Sequence, residues 1–82
     1  MDERVLDEIS KASGVPAADL PPSAKLKGDL QISHQNLVVL AEDLSAIVQE
    51  DNPSGRISEG EVDNAAATVQ STDTLVAQRR AQ

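Results

Sequence analysis

The stretch His34-Gln35-Asn36-Leu37-Val38-Val39-Leu40-Ala41-Glu42-Asp43-Leu44-Ser45-Ala46-Ile47-Val48-Gln49 decides the fold. Leu37, Leu40, Ala41, Leu44, Ile47 and Val48 recur at i, i+3, i+4, i+7, i+10 and i+11, the spacing that lines one face of an α-helix. Ser33, just before it, has the side chain of an N-cap. An apolar stripe of this length demands other elements to cover it, so the segment reads as the central helix of a bundle. Val38 and Val39 fall off the stripe, Val39 almost opposite it, which predicts an exposed aliphatic spot on the outer face.

On the N-terminal side, Val5, Leu6, Ile9 and Ala12 share a face, with Asp2 as cap and Gly14 as terminator, so a first helix is expected over Asp2 to Ser13. The following stretch, Val15 to Ser23, holds Pro16, Pro21 and Pro22 and cannot be regular helix. Leu20, Leu26, Leu30 and Ile32 punctuate a long loop as isolated apolar anchors. On the C-terminal side, Asp51-Asn52-Pro53-Ser54-Gly55 breaks the central helix. A short third helix is expected within Ile57 to Ala67, opened by a capping box of Ser58 and Glu61, with Val62, Ala65 and Ala66 inward. A last helix is expected from Thr72 to about Arg80, with Leu75 and Val76 as its apolar contacts and Arg79 and Arg80 suited to its C-terminal end. The expectation is one all-α domain over residues 1–82 with no strand and no internal repeat.

Composition narrows the function. The chain has 82 residues, 39% of them hydrophobic, and no Cys, Phe, Tyr or Trp. The core must therefore be aliphatic, and thiolate metal sites, cysteine nucleophiles and aromatic stacking platforms for bases are excluded. Seven Lys and Arg against fourteen Asp and Glu give a formal charge of −7, which opposes nucleic-acid and anionic-membrane binding and favours basic partners. With no apolar run fit for a signal peptide or a membrane span, a cytoplasmic monomer is the expectation.

Val5-Leu6-Asp7-Glu8-Ile9, Gly14-Val15, Leu20-Pro21-Pro22-Ser23-Ala24-Lys25-Leu26, Asp29-Leu30-Gln31-Ile32 and Leu37-Val38-Val39-Leu40 follow one another at distinctive spacings. In this order the chain resembles the acyl carrier proteins, without a gap from Gly14 to Leu44. Ile57-Ser58-Glu59-Gly60-Glu61-Val62 and Thr68-Val69-Gln70 are similar to the family's later segments once an insertion is allowed around Asn52 to Arg56. The resemblance implies a four-helix carrier-like bundle with a long first loop and a short third helix. It also implies a place in fatty-acid, polyketide or related metabolism, and no enzymatic activity of the chain's own.

The departures decide what kind of member it resembles. The family's Asp-Ser-Leu, whose serine carries 4′-phosphopantetheine, falls on Ser33-His34-Gln35, so His34 stands at the attachment position, and imidazole cannot replace the hydroxyl of a phosphodiester. The family's preceding glycine is Gln31, and the glutamate that its second helix shows to basic partners is Val39. The expected function is a docking or regulatory module without the prosthetic group. Its partner would be an enzyme with a basic or mixed basic and apolar surface, met by Val38, Val39, Glu42 and Asp43. The alternative is a working acyl or peptidyl carrier loaded on Ser33. With one His and no Cys, no catalytic pairing can be argued for His34.

A second signal lies at residues 50–61. Glu50, Asn52, Ser54, Ser58 and Glu61 place oxygen side chains at positions 1, 3, 5, 9 and 12 of a string resembling an EF-hand loop, with Gly55 at position 6. A Ca²⁺-binding module is thus a further alternative, set against a polar interhelical turn that happens to contain a capping box.

Overall fold

The computed structural model describes residues 1–82. It comprises α1 (Glu3–Ser13), a 3-10 turn (Ala17–Asp19), α2 (His34–Gln49), α3 (Glu59–Val62) and α4 (Val69–Arg80). The helices α1, α2 and α4 pack on one another and α3 packs on α2. No helix is long and apolar enough to cross a membrane.

Each boundary follows from local chemistry. Asp2 caps α1 by accepting the Arg4 N–H at 2.9 Å. Gly14 ends it at φ 76°, a left-handed conformation that glycine adopts without a Cβ penalty. The Ser33 hydroxyl accepts the Asn36 N–H at 3.3 Å to open α2. Along α2, Leu37, Leu40, Ala41, Leu44, Ile47 and Val48 are all buried and meet Val5 and Ile9 of α1 and Val69 and Val76 of α4 in one aliphatic core. Burying such side chains contributes roughly 1.5–3 kcal/mol each.

The long loop is pinned as its apolar residues predict: Leu20, Ala24, Leu26 and Ile32 are buried, and Leu30 packs against the core from a half-buried position. Its backbone is also paired. Lys25 and Thr68 form an isolated antiparallel bridge, with the Leu26 N–H donating to the Ala67 carbonyl and the Val69 N–H to that of Ala24, both at 3.0 Å.

That pairing corrects the expected start of α4. The helix begins at Val69, not Thr72, because its first N–H groups find partners: Val69 on Ala24, Gln70 on the Pro22 carbonyl at 2.9 Å, and Ser71 on the Thr68 hydroxyl at 3.0 Å. Thr72, expected at the helix start, is instead a buried residue of its second turn, its hydroxyl donating to the Thr68 carbonyl at 2.8 Å.

The third helix is shorter than expected, one turn over Glu59–Val62, and Ala65 and Ala66 are exposed rather than inward. Asn64 explains the stop. Its amide donates to the Gly60 and Glu61 carbonyls, and its oxygen accepts the Ala66 N–H, so the side chain takes over groups that further helix would use. Val62 is fully buried, and Ala67 closes the core beyond the turn.

Candidate functional site

The N-terminal end of α2 and the short α3 bring together a cluster of charged side chains around the single histidine. His34, the first residue of α2, faces Glu59 and Asp63, which open and follow α3 at i and i+4 and therefore lie on one side of that turn. The imidazole Nδ1 stands 2.6 Å from Asp63 Oδ2, and Nε2 stands 3.2 Å from Glu59 Oε1. On the far side the Lys27 ammonium lies 2.7 Å from Asp63 Oδ1. That oxygen is shut off from solvent and lacks a well-directed hydrogen bond, so Lys27 compensates it by charge.

The electrostatics follow from these contacts. The Asp63 carboxylate, and then the charge of Glu59, hold the His34 imidazole protonated above its ordinary range. Lys27 first and His34 second hold Asp63 below the usual carboxylate range. In the imidazolium form both ring nitrogens are donors, one to each carboxylate. This counteracts the N-terminal end of α2, which on its own disfavours a cation.

The other residues read from the sequence are distributed as follows. Ser33 is exposed and acts as the α2 cap, its Oγ directed to the Asn36 N–H. Val39 is 53% exposed and Val38 half-buried, with Glu42 and Asp43 exposed one turn further on and in no ion pair. Residues 50–61 are tied to other elements. Glu50 binds Arg4 of α1 with both oxygens, which holds its carboxyl below the ordinary range. Glu61 accepts the Ser58 N–H and hydroxyl at 3.0 and 2.9 Å and takes a two-pronged ion pair from Arg79. The Asn52 amide donates to the Arg79 carbonyl at 2.8 Å, and Ser54 is exposed. Glu50 and Glu61, the carboxylates at the first and last positions of the string, thus point to two different arginines.

Glu59, Asp63 and Lys27 were not singled out by sequence reasoning. The i, i+4 spacing of the two carboxylates was visible, but their approach to the single histidine depends on the turn that folds α3 back along α2. Comparison with known proteins gives no matching family model, no matching curated protein and no matching solved structure.

Proposed function

We propose that the chain is a divergent acyl-carrier-like docking module without a prosthetic group and without catalytic activity, engaging enzymes of fatty-acid, polyketide or related metabolism. One observation carries the reading. His34, at the place of the carrier's attachment serine, is held between Asp63 and Glu59, while the neighbouring Ser33 hydroxyl caps α2. The imidazole is engaged by two carboxylates, and the exposed Ser33 hydroxyl serves to cap α2.

Three features support it further. The element order, with a long anchored loop before the longest helix and a one-turn helix after it, suits a four-helix carrier-like bundle. Gln31, which stands where the family pattern has glycine, is the one non-glycine residue at positive φ, 54°. On the outer face of α2, Val39 and the unpaired Glu42 and Asp43 offer an apolar contact beside negative charge, and this combination suits a basic and apolar partner surface.

The test uses a broad-specificity phosphopantetheinyl transferase, itself an enzyme that docks on carriers. Intact mass after incubation with coenzyme A is expected to show no addition. Titrating the transferase into isotope-labelled chain is expected to give saturable amide shift changes centred on Val38, Val39, Glu42 and Asp43. A mass gain abolished by Ser33→Ala would make the chain a loaded carrier, and absence of shift changes would refute the docking role.

A further inference from the structure

We propose that His34, Glu59 and Asp63 bind one divalent transition-metal cation at the junction of α2 and α3, whether or not the chain docks on a carrier enzyme. One ligand atom from each residue lies within 4.8 Å of the other two. Zinc bonds of about 2.0–2.2 Å place tetrahedral ligands roughly 3.3–3.6 Å apart, so side-chain movements of about 1 Å close the set around an ion. His34 and Glu59 can make them, with side chains 65% and 49% exposed. Asp63, at 15%, supplies the fixed corner.

The charge pattern points the same way. Two carboxylates converge on one ring, Asp63 through Oδ2 and Glu59 through Oε1, while Asp63 Oδ1 is engaged by Lys27 on the other side, so a single imidazolium faces two negative charges. A divalent ion brings twice the charge of an imidazolium to that position. It also accepts ligands at wide angles, so once the imidazolium has released its proton to solvent, one ring nitrogen and both carboxylates can address it together with water. One imidazole with two carboxylates suits zinc, cobalt or manganese rather than calcium, which takes about 6–8 oxygens. Lys27 opposes the ion from the far side of Asp63, which makes it the internal gauge of the site.

The experiment is calorimetric titration of the full chain with Zn²⁺ at neutral pH, paralleled by Co²⁺ absorption. One saturable equivalent is expected. Loss of an outer partner of a metal site weakens binding about 10–100-fold, so removing a ligand by His34→Ala or Asp63→Asn should weaken it at least about tenfold. Lys27→Gln should tighten binding and Glu50→Gln should leave it unchanged, which separates this site from residues 50–61. The Co²⁺ spectrum should lose its imidazole-dependent bands in His34→Ala. Because the exposed His34 contributes nothing to the core, His34→Gln serves as a second ligand variant, and circular dichroism checks the helices of each. Non-saturable uptake, several weak equivalents, or an affinity that neither His34 variant changes in a folded protein would overturn the site.

Discussion

Arg79, in the last turn of α4, reaches across to Glu61 of α3 and closes a two-pronged ion pair on a carboxylate that already accepts from Ser58. The same guanidinium also donates to the Arg56 carbonyl at 2.8 Å. A single side chain thus ties the short helix, the segment before it and the C-terminal helix together. α3 needs this, because one turn of helix does not persist without tertiary contacts.

The pair makes stability pH-dependent. Arg79, and then the Ser58 donors, bring the Glu61 carboxyl down from 4.5 to about 2, against the opposing effect of burial. Its folded value lies below its unfolded value, so its contribution is complete above the ordinary carboxylate range and is lost as pH falls from 4.5 toward about 2. With both side chains partly exposed, solvent screening reduces the effect to about 1 kcal/mol. Glu61→Gln should lower the unfolding free energy by about that amount at neutral pH. It should also remove part of the acid sensitivity, with denaturant midpoints of the two proteins converging as the pH drops.

Gln31 stores strain in the turn before α2. Its φ of 54° places a Cβ where only glycine is at ease, and its side chain is exposed. A left-handed residue costs roughly 1–2 kcal/mol, offset in part by the greater freedom of glycine in the unfolded chain, about 0.4–1 kcal/mol. Gln31→Gly should therefore raise stability by up to about 1 kcal/mol, and Gln31→Val should lower it by at least about 1 kcal/mol. Thermal melts of the two variants check the sign.

Elements whose cause is local were legible in the sequence. The stripe of α2, the Asp2 and Ser33 caps, Gly14 and the loop anchors Leu20, Leu26 and Ile32 depend on neighbours within a turn or on burial pattern, and the structure places them as read. What the sequence hid depends on partners far along the chain. α4 starts at Val69 because Pro22 and Ala24 offer carbonyls from the long loop. α3 stops at Val62 because Asn64 competes for its end. The candidate site has the same character: His34 meets Glu59 and Asp63 only through the packing of α3 on α2, and no spacing rule connects those positions.

The Ser33 hydroxyl should behave as a helix cap in a stability assay. Ser33→Ala removes the acceptor of the Asn36 N–H and should cost about 0.5–1 kcal/mol, whereas Ser33→Asp should retain or slightly improve stability by placing an acceptor and a negative charge at the positive end of α2. Urea unfolding of the three proteins measures both effects. Equal midpoints for wild type and Ser33→Ala would show that the hydroxyl does not cap the helix.

Gly55 distinguishes a steric role from a metal-loop role. A Cβ there would lie 2.6 Å from Asn52 Nδ2 and 2.7 Å from Val48 Cγ1, closer than such atoms approach. Val48 is fully buried at the end of α2, and Asn52 is held by the Arg79 carbonyl, so neither neighbour yields freely. The Gly55 N–H donates to the Asn52 carbonyl at 2.9 Å and its own carbonyl accepts from the Gln49 amide at 3.0 Å, which keeps the turn from swinging outward. Gly55→Ala should therefore destabilise the protein by about 1–3 kcal/mol, the range for overpacking a close-fitted position. The loss should be the same with Ca²⁺ and with a chelator, since the clash exists without any ion. A variant as stable as wild type in chelator and weaker only in Ca²⁺ would assign the glycine to a metal loop instead.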